Sequence, residues 1–203
     1  MMGLSPIFQK ICRMARDLAV KTGKQVEVRI AGEDTEVDRS MGGALEEMLM
    51  HMVRNSIDHG IEPPQERLNA GKAAKGLVAI NSFNSGGSVV FEISDDGRGL
   101  DKNKIIDKAT KLGILKSGGA PPADKEVFPL IFLPGLSTAA SVTEISGRGV
   151  GMDVVKNRVD AFGGKINISS KTGFGTVFHV RIPLTLAKMQ VLPVKAGNCC
   201  YLI

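Results

Sequence analysis

The chain has no tryptophan and a single tyrosine, so it lacks the stacking aromatics that readers of single-stranded nucleic acid place along a groove. Its lysines and arginines are scattered, and a net charge of +5 with a pI near 9.2 describes a solvated surface or a local preference for phosphates better than a nucleic-acid interface. Long apolar runs are missing too. The greasiest stretch, "VFPLIFLPGL", is cut twice by proline and falls short of the ~18 residues of a membrane helix. The opening "MMGLSPIFQK" has neither the basic start nor the continuous apolar middle of a secretion signal. A cytoplasmic location without membrane insertion is expected. Cysteine is scarce: Cys12, Cys199 and Cys200 are odd in number and two are adjacent, which excludes a disulfide framework and leaves reduced thiols. What remains is 203 residues, 43% of them hydrophobic, enough for one sizeable core.

Apolar spacing then divides the chain. "SPIFQKICRMARDLAVKTG" predicts a helix with Ser5 as its N-cap, Pro6 in first position, an apolar side of Ile7, Ile11, Met14 and Leu18, and Gly23 as its stop. "KQVEVRIAG" alternates like a half-buried strand. "ALEEMLMHMVRNSIDHG" returns to helical spacing through Gly60, and "IEPPQERLNAGKAAKG" reads as a polar loop. "LVAINSF" and "SVVFEISDDG", joined by "NSGG", predict an antiparallel hairpin. A short helix over "KNKIIDKATKLG" leads to a long irregular region from Ser117 to Gly147, the kind of loop that is often functional. A helix from Met152 to Phe162, closed by Gly163 and Gly164, precedes a second hairpin, "KINISS" and "TVFHVRIP". The expected fold is α+β: a two-layer sandwich, its mixed and mostly antiparallel sheet covered on one face by helices.

Three stretches carry possible chemistry. At 100° per residue, His51, Asn55, Asp58 and His59 share one arc of their helix, flanked by Glu47 and Arg54, while Leu45, Leu49, Met52, Val53 and Ile57 form the opposite side. A solvated polar face is the commoner explanation of such a stripe. Asp95 ends an apolar strand, and Gly97 and Gly99 free the backbone after it. An Asp-Gly turn accounts for this alone; a functional Asp95 would accept a hydrogen bond from the exocyclic amine of adenine and reject the carbonyl of guanine. "GRGVGMDVV" sets Gly147, Gly149 and Gly151 before a helix, where unencumbered amides face any anion. It is not a Rossmann fingerprint, and "NAGKAAKG" is not a Walker loop.

In order, an Asn-bearing helix, a strand ending in Asp-x-Gly-x-Gly, a glycine-rich segment and a Gly-x-Gly opening a helix resemble the GHKL superfamily: gyrase-like ATPases, heat-shock 90 chaperones, MutL proteins and histidine kinases. Within it, "HMVRNSIDHGIEPPQERLNAGK", "ISDDGRGLD", "LIFLPGLSTA" and "SGRGVGMDVVKN" resemble the CheA family of bacterial chemotaxis histidine kinases. The resemblance implies a Bergerat-type fold with a glycine-rich ATP lid. It divides the chain into the end of a helical dimerisation segment or linker (1–20), an ATP-binding kinase domain (21–186) and the start of an SH3-like, CheW-like regulatory domain (187–203), in which the sequence stops. It implies ATP and Mg²⁺ as cofactors, Asn55 as metal ligand, and Asp95 on the adenine amine. Arg54, His51, His59 and Lys108 would line the triphosphate, with His51 and His59 joining Asn55 as catalytic residues. Asp58, Gly97, Gly99, Ser137, Thr138, Gly147, Arg148, Gly149, Gly151 and Thr176 complete the implied nucleotide contacts.

His51 stands where the hydrolysing relatives carry a water-orienting glutamate, which fits transfer of the γ-phosphoryl to a protein imidazole. Whether it serves as a base or as a phosphate ligand stays open. The acceptor histidine would lie on a separate domain, so the chain alone is not expected to phosphorylate itself. Other implied partners are a CheW-type coupling protein and chemoreceptors, reached through the following domain, and a second copy in a full-length homodimer. A GHKL ATPase and a nucleotide-gated interaction module with little catalysis are the alternatives. Gly42 and Gly43, ahead of the Asn-bearing helix, and Ala139 and Ala140 depart from the family pattern.

Overall fold

Alternation along the strands sets the sheet. The computed structural model describes residues 1–115, 122–136 and 151–184, and the backbone of 193–196 and 199–202. Two short strands, β1 (Met2–Gly3) and β3 (Glu36–Val37), pair with each other. The main sheet has five strands in the order β2-β4-β5-β7-β6: β2 (Val26–Ala31), β4 (Gly76–Ser85), β5 (Ser88–Asp95), β6 (Lys165–Lys171) and β7 (Gly175–Pro183). β2 runs parallel to β4 and every other pairing is antiparallel. Both hairpins expected from the turn residues are present, the first closed by Gly86 and Gly87 with positive φ. Beyond them, β8 (Pro193–Ala196) pairs with β9 (Cys199–Leu202).

One side of the sheet is dry. Val78 and Ile80 on β4, Val89, Phe91 and Ile93 on β5, and Phe178, Val180 and Ile182 on β7 are buried, alternating with half-exposed residues as the pleat requires. Asp95, the last inward position of β5, and Thr176, the first of β7, face each other in register. The other face carries polar side chains, among them His179, whose Nδ1 lies 3.4 Å from Glu92.

Helices cover the dry face: α1 (Ser5–Lys21), α2 (Gly42–Asn55), α4 (Lys102–Lys111) and α6 (Met152–Ala161), with α3 (Pro64–Asn69) at one end. Leu4, Ile7, Phe8 and Ile11 bring α1 into the same core as Leu45, Met48, Leu49, Met52 and Val53 of α2. Leu4, not Ser5, is the N-cap of α1, without a side-chain cap; its full burial draws the chain into the helix one residue early. The glycines ahead of the Asn-bearing helix form its first turn, where a Cβ on Gly42 would meet the Met2 sulfur at 2.6 Å.

Three further expectations are corrected. The helix does not run regularly to Gly60: after Asn55 it widens into a π-helical turn over Ser56–Gly60, with Ile61 N–H bonded to the Ser56 carbonyl and the Lys24 ammonium donating to the carbonyls of Ile57 and Asp58 at 2.6 and 2.8 Å. The polar loop after Gly60 holds α3 and a fully buried Arg67. The long irregular region contains α5 (Asp124–Val127) and a 3-10 turn over Phe128–Phe132. Val127, Phe128, Ile131, Phe132 and Leu136 there belong to the core, so apolar burial overrides the loop-like composition.

Candidate functional site

A cleft opens beneath the helices where β5 ends and β7 begins. Its walls come from the α2 end (Asn55, Ser56, His59, Gly60), the turn after β5 (Arg98, Gly99, Leu100, Asp101), α4 (Lys104, Ile105), Ile131, Met152 and the two strand ends (Asp95, Thr176, Phe178). At the strand end, Asp95 is 8% exposed, and burial pushes its carboxyl up to about 6. The Gly97 N–H donates to Asp95 Oδ1 at 3.0 Å and opposes that shift. The buried Ser56 hydroxyl lies beside the carboxyl without completing a hydrogen bond.

Small residues let this corner close. A Cβ on Gly97 would meet the Gly60 carbonyl oxygen at 2.2 Å, and one on Gly60 would meet the Asp95 carboxyl at 3.1 Å. The Arg98 N–H bonds to that same Gly60 carbonyl. Thus "DHG" at the helix end and "DDGRG" after the strand are one packed corner. The β6–β7 turn braces it: Ser170 Oγ accepts from Leu100 N–H, Thr172 Oγ1 donates to the Leu100 carbonyl, and Gly173 N–H donates to the Arg98 carbonyl.

At the helix end, Asn55 Nδ2 lies 3.0 Å from His51 Nε2, one turn earlier, and 2.9 Å from the Met152 sulfur. Both acceptors face one amide nitrogen, so its two hydrogens are used and Oδ1 is the free end of the side chain. His51 must then hold its own proton on Nδ1. Burial, and next the charge of Arg54, keep its pKa below the ordinary imidazole value, so the ring is neutral at pH 7.

Beneath Asp95 lies an ionic cluster that sequence spacing does not announce. Arg67 donates to Glu62 at 3.1 Å, to the Asp96 carboxylate at 2.7 Å, and to the carbonyls of Ala73 and Asp96. The Lys72 ammonium donates to Glu62 at 2.7 Å and to the carbonyls of Asp96 and Gly97 at 3.0 and 2.7 Å. Asp96 in turn accepts from the Leu77 N–H. Burial raises the Glu62 carboxyl and the Lys72 and Arg67 cations more than offset it, so its pKa stays below the usual range.

Of the residues singled out from sequence, Asn55, His59, Asp95, Gly99 and Thr176 line the cleft. His51 stands behind Asn55, and Gly97 behind Asp95. Arg54 is half-buried beside His51, and Asp58, in the π-helical turn, is absent from the cleft lining, its carbonyl held by Lys24. Lys104, one turn before Lys108 on α4, is the lysine on the cleft wall. Gly151 is the N-cap of α6. Ser137, Thr138, Gly147, Arg148 and Gly149 lie outside the described residues. Sequence reasoning passed over Lys24, Ser56, Glu62, Arg67, Lys72, Asp96 and Met152. Their signal was faint: cations and carboxylates scattered through a stretch that composition marks as solvated.

Residues 42–186 match the family of histidine kinase-, DNA gyrase B- and HSP90-like ATPases. The chain belongs to that family. It is 41% identical to the chemotaxis protein CheA of Bacillus subtilis over 96% of its length, and 45% identical to the sensor histidine kinase CheAY of Helicobacter pylori over its whole length. It spans only 29% and 25% of those relatives. The catalytic domain of the histidine kinase ThkA has the same fold, with a TM-score of 0.54 at 18% identity, over 91% of this chain and 95% of that one. The five-stranded mixed sheet under helices is therefore the fold of this ATPase family.

Proposed function

We propose that the chain is the ATP-binding catalytic module of a chemotaxis histidine kinase, which passes the γ-phosphoryl group of ATP to a histidine on a separate phosphoacceptor domain. The observation that carries this is the pairing in one cleft of a buried carboxylate, Asp95, with an oriented amide, Asn55, in a chain so similar to chemotaxis kinases.

The residues present fit both groups. Adenine suits the apolar walls of Leu100, Ile105, Ile131 and Phe178, with its amine toward Asp95 and the base edge or its water within reach of the orphaned Ser56 hydroxyl. Mg²⁺ suits an amide oxygen completed by phosphates and water; among the described residues no cluster of acidic and histidine side chains offers a cage of its own. When bound, Mg²⁺ and ATP supply the neutralising charge and the phosphoryl group. Asn55 presents its oxygen because His51 and Met152 hold its nitrogen. His51 thus orients Asn55, with its Nε2 already engaged, and puts an imidazole where a water-activating carboxylate would otherwise stand. Lys104, Arg98 and His59 supply positive or donor groups toward the phosphates.

We place the protein in the cytoplasm, consistent with helices too short or too polar to cross a membrane among the described residues. Its partners would be the acceptor domain, a CheW-type coupling protein and chemoreceptors, in a homodimeric full-length kinase. The test mixes the chain with Mg²⁺, [γ-³²P]ATP and a purified acceptor domain of a CheA-type kinase. Acid-labile, alkali-stable label on the acceptor, and none on the chain alone, is expected; Asn55→Ala should cut it by about a hundredfold or more. His51→Gln, whose side-chain oxygen takes the same Asn55 hydrogen, should retain most of it. Free phosphate without acceptor label would make the chain an ATPase, and tight binding with neither would make it a nucleotide-gated module.

A further inference from the structure

The Asp96–Gly97 peptide is held from both sides. Its carbonyl accepts from Lys72 at 3.0 Å and from Arg67 at 3.2 Å, and its N–H donates to Asp95 Oδ1. The two cations therefore fix the plane of the peptide that fixes the carboxyl. A second grip on the Gly97 carbonyl, at 2.7 Å from Lys72, prevents that plane from rotating. Glu62 holds both cations in register, at 2.7 Å from Lys72 and 3.1 Å from Arg67. The Gly97 N–H on Oδ1 orients the carboxyl and leaves Oδ2, with the remaining lone pair of Oδ1, to meet a donor on a base.

We infer that Lys72 and Arg67 are positioning residues for base selection: by locking the Asp96–Gly97 peptide they fix which Asp95 oxygen faces the cleft, and so favour a base with an exocyclic amine over one with a carbonyl. This rests on the reading that Asp95 receives the adenine amine. Neither cation lines the cleft; they act through one peptide group. A turn free to rotate would let the carboxyl swing or take up a proton, and a protonated carboxyl can donate to a carbonyl as readily as it accepts from an amine. Discrimination between adenine and guanine would then fall even where overall affinity survives.

The experiment titrates the chain with ATP and, separately, GTP by calorimetry, for the wild type, Lys72→Met, Lys72→Arg and Asp95→Asn. Lys72→Met should lower the ATP-to-GTP affinity ratio by about tenfold or more, with Lys72→Arg restoring most of it. The Gly97 amide proton should shift in the NMR spectrum of Lys72→Met and return in Lys72→Arg. Loss of stability alone would not change the ratio in the folded fraction, so thermal melting of each variant separates the two effects. Should Lys72→Met fail to fold, Lys72→Gln, a shorter neutral donor, is read the same way. A collapsed ratio in Asp95→Asn with a wild-type ratio in the folded Lys72 variant overturns the inference alone. An unchanged ratio in Asp95→Asn overturns the adenine reading and the inference with it.

Discussion

Asp95 opposes stability in its charged form, the form that the proposed function requires. Its folded pKa, about 6, lies above the ordinary 3.8 because burial disfavours the charge. The folded protein therefore holds this proton more tightly than the unfolded chain. Stability contributed by Asp95 is full below about pH 4, falls as pH rises through about 6, and is flat beyond; ionisation costs on the order of 1–3 kcal/mol. Asp95→Asn should then be more stable than wild type by that order at pH 8, nearly equal to it at pH 4, and weaker in ATP binding by about tenfold or more. Urea denaturation at both pH values and an ATP titration check this. A stability difference independent of pH would contradict it. His51 shows the same effect with the opposite group: burial and Arg54 favour the neutral ring, which suits a hydrogen-bond acceptor for Asn55.

Among elements, the meeting of the α2 end with the turn after β5 decides the site. Gly60 and Gly97 allow contact that no side chain would, since a Cβ on Gly97 falls 2.2 Å from the Gly60 oxygen. Gly97→Ala should destabilise the domain by about 1–3 kcal/mol and abolish nucleotide binding in the fraction that folds. Chemical denaturation with a nucleotide titration measures both; a stable variant that binds normally would contradict the packing described here. Much of this was legible in the sequence. Strand period, the Gly-Gly turn and the strand-terminal Asp placed the sheet and Asp95, and helical period placed Asn55 one turn from His51. What period could not reach was of two kinds. The π-helical turn over Ser56–Gly60 depends on Lys24, which lies 33 residues from one carbonyl it caps. The Arg67 cluster joins charges up to 29 residues apart, and in sequence such charges look like any solvated loop. The apolar run from Val127 to Phe132 was hidden by Pro129 within it and by Pro134 and Gly135 just after it, although burial of its side chains is what fixes it.

At the scale of the whole molecule, the sheet, α1 and α2 share one core, and the cleft lies where that core reaches the strand ends. Its two ends have different chemistry: a buried carboxyl at Asp95 and a directed amide oxygen at Asn55. α6 touches the second end through Met152, immediately after the glycines from Gly147, so the segment expected to close over the phosphates leads directly into the grip on Asn55. On the proposed function, these two ends hold opposite ends of one Mg²⁺-bound nucleotide. A crystal structure of the chain with a non-hydrolysable ATP analogue and Mg²⁺ tests it most directly. The adenine amine should lie within hydrogen-bond distance of Asp95 Oδ2 and the metal should be ligated by Asn55 Oδ1; a base bound away from Asp95, or a metal held without Asn55, would contradict the account.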